Sequence, residues 1–193
     1  MNKRTLRLLI DSLISIGLSV IIFMIMSHAV KQYSYLIVGY ALIPLIWMAL
    51  RHGIAASIIT SAFTGIILTY IQSEAQHVAS WLVPFIGVSV AGLFAKYTQK
   101  TLNNRRYSST YLNITTASLL AILTTLLAKF VIIDPMLLGK DSVEWTSFGF
   151  QTAISWLIAS LILIILSKIS ASLIIPKRSK YLSRKETSSL LND

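Results

Sequence analysis

The chain of 193 residues contains no cysteine. A disulfide framework, a thiolate metal site and a cysteine nucleophile are therefore excluded. Histidine is scarce: His28, His52 and His77 stand far apart, without the spacing of metal ligands. No cofactor is expected. Charge is also sparse, at 12% Asp, Glu, Lys and Arg, about half the usual share of a soluble domain. The G-x-S-x-G, P-loop and H-E-x-x-H patterns are missing, so no catalytic constellation emerges and an enzyme is not expected. What remains is apolar. The AVILMFWYC set makes up 55% of the chain, and the mean hydropathy is +0.72. Disorder requires the opposite composition.

A membrane helix needs about 20 mainly apolar residues. Six such runs are present, at 6–27, 33–50, 53–72, 78–95, 112–133 and 148–175. They lack the period-2 alternation of barrel strands, and a single spanning segment in lipid must otherwise be a helix. The expected fold is an all-α integral membrane protein with six transmembrane helices. It reads as one domain, 1–175, followed by a basic tail, 176–193. The first run is too long for a signal-peptide core, and no small-x-small cleavage site follows it.

The net charge is +10. With the N-terminus inside, fourteen Lys and Arg residues fall on the inner side and only Lys31 and Lys140 on the outer side. Such a bias orients membrane proteins, and it predicts both termini in the cytoplasm. The basic loops suit anionic lipid, and they do not form an aromatic-interleaved patch for nucleic acid. The acids Glu74, Asp134, Asp141 and Glu144 gather on the outer side. Either exported loops simply avoid Lys and Arg, or the outer mouth prefers a cationic solute.

Within the spans, ionisable residues are costly and usually functional. Lys129 sits one turn inside the outer end of the fifth run. It can snorkel to the interface, pair with Asp134 or line a solute pocket. Asp11 lies near Lys3, Arg4 and Arg7, which suggests a local ion pair. Small residues recur four apart at Ser57, Ser61 and Gly65, and again at Gly87, Ala91 and Ala95; this spacing lets helices approach closely. Tyr33, Tyr35, Tyr70, Trp81, Phe130, Trp145, Phe148 and Phe150 cluster toward the outer ends. They form either an interfacial belt or stacking faces for a flat ligand. The loop 134–147 reads as a plain connector or as a lid.

The segment LIPLIWMALRHG (42–53), followed by IAASIITSAFTGIIL, resembles the second-to-third helix junction of thiamine-type S components. These are the substrate-binding membrane subunits of energy-coupling factor transporters. Arg7 with Asp11, the run VAGLFAKY (90–97) and Trp145-x-x-Phe148 are similar to further segments of that family. The resemblance implies a bacterial cell-membrane protein that captures a vitamin-like solute at its outer face. It also implies partners: a transmembrane coupling subunit and ATPase subunits. Ser12, Ser15 and Ser19 fall on the family's small-residue docking face of helix one. The ligand positions diverge. Ser80 stands where the family has an acid, Thr64 replaces a tryptophan, and Gln151 replaces an asparagine. Tyr35 retains an aromatic, and Lys129 lies near a position that is histidine in the family. The implied contacts are Tyr35, Thr64, Ser80, Trp81, Lys129, Trp145 and Gln151. The divergence implies either a shifted register or a solute other than thiamine. A solute-free scaffold of the rod-shape type is the alternative reading.

Overall fold

The computed structural model describes residues 3–73, 77–139, 143–177 and 179–182. Six helices in it are long and apolar enough to cross a membrane. They are α1 (Lys3–Ala29), α2 (Ser34–His52), α3 (Ile54–Ile71), α4 (Ala79–Asn103), α5 (Tyr107–Leu138) and α6 (Trp145–Ile169). A short α7 (Ala171–Ile174) follows. No strand occurs among the described residues.

The bundle is built around α2, which is 72% buried over its apolar window, whereas α1 is only 22% buried. Leu42, Leu45, Ile46 and Ala49 of α2 form the centre of the core, with Leu68 of α3, Phe85 of α4, Ile122 of α5 and Leu163 of α6. In lipid, apolar burial gives no advantage over apolar exposure, so close van der Waals packing and internal polar satisfaction hold the helices. Small residues permit that packing. A Cβ on Gly65 would stand 2.8 Å from the Trp81 carbonyl oxygen, so α3 and α4 touch backbone to backbone there. Three hydroxyls of α3 are satisfied within their own helix. Ser61, Thr64 and Thr69 each donate to the carbonyl four residues earlier.

Three helices depart from regular geometry, and proline is involved in each. Pro44 begins the second half of α2 after an irregular step at Leu42, where the missing N–H breaks the ladder. Pro84 precedes a tightened 3-10 stretch, Gly87–Phe94, in α4. In α5 the turns widen to π geometry over Leu127–Ile133, just before Pro135.

Several boundaries differ from expectation: α5 spans Tyr107–Leu138, five residues beyond the expected 112–133 at each end. The fourth helix runs to Asn103 instead of ending near 95. Its last turns, AKYTQKTLN, are amphipathic: Thr98, Gln99 and Leu102 are buried while Lys96 and Lys100 are exposed. A hydropathy scan reads such a segment as loop. The sixth helix stops at Ile169 because Ser170 is extended, with φ −156° and ψ 121°.

The start of the tail is not a free appendage. The Ser179 hydroxyl donates to Gln99 Oε1 at 2.6 Å. Leu182 packs with Leu102, Ile174 and Ile175 in a second small core. Gln99 in turn donates to the carbonyls of Leu50 and Arg51. Residues 183–193, including Arg184 and Lys185, lie outside the described part.

Gly92 supplies a test of this packing. A Cβ there would meet the Ile54 nitrogen at 2.5 Å and the Gly53 carbonyl carbon at 2.8 Å, both backbone atoms. Backbone cannot rotate away as a side chain can. Gly92→Ala is expected to lower stability by about 1–3 kcal/mol, measured as a drop in melting temperature of the purified protein. An unchanged melt would mean that the α2–α3 turn does not press on α4.

A buried ion pair in an aromatic pocket

At one end of the bundle, α1, α3 and α5 finish while α2, α4 and α6 begin. A cavity of about 290 Å³ opens there. Phe23 and Ser27, four residues apart, reach it from one face of α1. Ser34 and Val38 come from α2 and Gln72 from the end of α3. Trp81 comes from α4; Lys129, Phe130 and Asp134 come from α5. Ligand cavities typically start at about 300 Å³, so this one fits a small solute.

Lys129 and Asp134 are its buried charged pair, and exposed Lys31 adds a third charge to the lining. Lys129 Nζ donates to Asp134 Oδ1 at 2.6 Å, and the two side chains are 1% and 2% exposed. The ammonium also lies 4.1 Å from the Trp81 ring centroid. A cation over an indole face gains strength when it is desolvated. The π stretch explains why this pair meets. Five residues along an α-helix separate two side chains by about 140°. In π geometry the hydrogen bond spans five residues, so positions 129 and 134 return close to one face. Charged groups this deep require a partner, because an uncompensated ion costs several kcal/mol (about that much even after relaxation).

An aromatic chain surrounds the pair. Phe23 meets Trp81 edge-on at 5.2 Å between ring centroids. Tyr35 packs edge-on against Phe130 at 4.7 Å and against Phe148 at 5.3 Å, and Trp145 continues the line at 5.8 Å from Phe148. Such geometry fixes ring orientations.

Of the residues singled out from sequence, Trp81 and Lys129 line the cavity together. Lys129 is buried and paired, so it does not snorkel. Tyr35 stands behind Phe130. Ser80 is buried beside Trp81, outside the lining. Thr64 is buried too, its hydroxyl donating to Thr60. Gln151 bolts α6 to α2: its Oε1 accepts from the Leu36 N–H and its Nε2 donates to the Ser147 hydroxyl. Trp145 is 62% exposed. Phe23, Ser27, Ser34 and Gln72 escaped sequence reasoning. The three polar ones sit where spans meet loops, a position that hydropathy assigns to connectors. Glu74 and Asp141, half of the expected acidic mouth, lie outside the described residues.

The small-residue face of α1 also differs from expectation. Ser15 and Ser19 are fully buried, Ser19 donating to the Ala41 carbonyl of α2 at 2.6 Å. Ser12 accepts from Thr60 of α3 at 3.1 Å. These serines join α1 to its own bundle, and the outward face of α1 carries Leu13, Ile21 and Ile25 around an open Gly17. Asp11 is bound across the bundle as well. Arg51 Nε donates to its Oδ2 at 2.8 Å, and His52 Nε2 lies 2.7 Å from the same oxygen. The side chains of Lys3 and Arg4, expected as local partners, lie outside the described part; the partners described for Asp11 come from the end of the buried helix α2.

Six apolar helices with a solute-sized cavity at their ends define a multi-pass membrane protein. A family model described as thiamine transporter protein (Thia_YuaJ) matches residues 9–132, more than half of the chain. The chain belongs to this thiamine transporter family. It is accordingly a transport protein and not an enzyme. No curated protein and no solved structure matches it.

Proposed function

We propose that this protein is the solute-capturing S component of an energy-coupling factor importer, and that it holds a thiamine-like or other small heterocyclic solute in the Trp81–Lys129–Asp134 cavity. The observation that carries the reading is the buried ion pair beneath an indole face in a pocket of solute size. A flat ring stacks on Trp81, while the ring edge meets an acceptor, Asp134, next to a donor, Lys129. An aminopyrimidine edge presents the complementary donor and acceptor. In this reading Asp134 supplies, from α5, the carboxylate that the family resemblance expects where Ser80 stands. The charges of Lys129 and Asp134 cancel each other, and exposed Lys31, which also lines the cavity, leaves the pocket with a net positive charge.

Positive-inside bias supports an orientation with this cavity at the outer face and both termini in the cytoplasm. With no nucleotide-binding motif in the chain, energy must come from partners. A transmembrane coupling subunit and ATPase subunits fill that role in the proposal. The test is a titration of the purified full-length protein in detergent with thiamine, its aminopyrimidine precursor and other vitamins, followed by calorimetry. Saturable binding is expected, and Trp81→Ala should weaken it by about tenfold, the scale of one aromatic contact. Lys100→Gln, at the opposite end, should bind as the parent does. If a cooperatively folded protein binds no heterocycle in the panel, the assignment of substrate class is overturned.

A further inference from the structure

The other end of the bundle holds a larger cavity, of about 880 Å³, between the start of α1, the α2–α3 turn and the segment after α7. Arg7, Arg51, His52, Lys177 and Lys180 line its polar side, with Asp11 as the one carboxylate in the lining among the described residues. Arg51 and His52 already engage that carboxylate. The side formed by Arg7, Lys177 and Lys180 therefore keeps a net positive charge, and a concave wall of one sign concentrates counter-ions.

The opposite wall is apolar. Leu6, Ile10 and Ile59 line it and are roughly half exposed, at 45%, 46% and 60%. They belong to spans α1 and α3, so this wall faces the region where lipid tails pack. The two walls meet where the helices enter the membrane: Arg7 lies in the opening turns of α1, and Lys177 lies just beyond the last span. A soluble anion would use the polar wall alone. An amphiphile with an anionic head uses both.

We propose that this cavity binds an anionic phospholipid, its phosphate held by Arg7, Lys177 and Lys180 and one acyl chain lying over Ile10 and Ile59. The docked segment after α7 is then part of the site, because it delivers both lysines. Ser179 on Gln99 and Leu182 in the second core hold that segment in place. The site is separate from the heterocycle pocket and does not depend on the reading of that pocket. Lys and Arg near a negatively charged leaflet each strengthen binding by about fivefold.

The test uses delipidated full-length protein in dodecyl maltoside, with melting temperature recorded against short-chain phosphatidylglycerol, phosphatidylcholine of the same chain length, and inorganic phosphate. Phosphatidylglycerol should raise the melting temperature saturably, and the other two should not. The triple variant R7Q/K177Q/K180Q should shift half-saturation by about a hundredfold, three charges at the fivefold step. The single K177Q, at an exposed position, should shift it by about fivefold and is safe for folding. The control K96Q/K100Q/R106Q removes three charges at the same end but outside the cavity, and should leave the response intact. Equal losses in the two triple variants would reduce the effect to diffuse surface charge and overturn the site. A response to inorganic phosphate as large as that to phosphatidylglycerol would make it a free-phosphate site. An equal response to phosphatidylcholine would leave only an apolar groove. No response to any of the three would overturn lipid binding and leave the cavity to an acidic protein partner.

Discussion

Lys129→Met is expected to destabilise the protein by about 3–5 kcal/mol, the cost of stranding one partner of a buried ion pair. Asp134 is 2% exposed and its Oδ1 lies 2.6 Å from Lys129 Nζ. Without the ammonium, the carboxylate stays buried beside Trp81 and Phe130 and loses its ion-pair partner at 2.6 Å. For a chain of this size the melting temperature should fall by about 10 °C. The double variant Lys129→Met/Asp134→Leu removes both charges and should recover most of the loss, since apolar replacement of a buried pair is often neutral or better. The double-mutant cycle separates coupling from the two individual effects. Both variants should lose heterocycle binding if the pair reads the ligand's edge. A double variant that melts like the parent but still binds would keep the pair as a structural device and remove it from recognition.

Arg51→Ala is expected to cost a similar amount, about 3–5 kcal/mol. Arg51 is 8% exposed and ties its own helix to two others. Its Nε donates to Asp11 of α1, and its Nη1 donates to the Ser172 and Leu173 carbonyls of α7. The side chain also lies 5.4 Å from the Trp47 ring centroid, and the Trp47 indole donates to the same Leu173 carbonyl. Losing it strands Asp11 on His52 and takes two hydrogen bonds from α7. Arg51→Lys should recover only part of the stability. A single ammonium cannot reach a carboxylate on one side and two carbonyls on the other as the planar guanidinium fork does. Limited proteolysis checks the local consequence: cleavage near 176–182 should accelerate in Arg51→Ala before the spans are cut. If the cleavage rate matches the parent, α7 does not depend on Arg51.

These two residues show how far the sequence alone carries the site. Lys129 was visible as a charge inside an apolar run, and Asp134 was visible as its neighbour. That the pair is buried, with Lys129 over the Trp81 ring, was not visible. In regular α geometry the two side chains diverge, and a local widening of α5 brings them together. Asp11 is a similar case. Its nearest opposite charges in sequence lie on its own helix, yet its partners are forty residues away, at Arg51 and His52. Ser15 and Ser19 follow the small-residue spacing of a docking face, but α1 is rotated so that this face meets α2. A four-residue spacing identifies which side chains share a face; it carries no information on which neighbour that face meets. Gln151 and Thr64 were singled out by the family resemblance, and both are taken up in hydrogen bonds, Gln151 between α6 and α2 and Thr64 within α3.

The sequence by itself determined the class: six membrane-crossing helices and no enzyme chemistry. Lipid imposes a minimum apolar length and forbids unsatisfied backbone, so those properties are written in composition and run length. Its pattern of small residues also marked where helices can approach closely, as at Gly65. The tertiary structure alone decided which polar groups meet across spans, where α4 and α6 end, and which side chains line the pocket. Those depend on how each helix is rotated and on breaks at Leu42, Pro84 and Lys129. Packing between helices sets the rotation, and the same apolar run satisfies the membrane at any angle about its own axis.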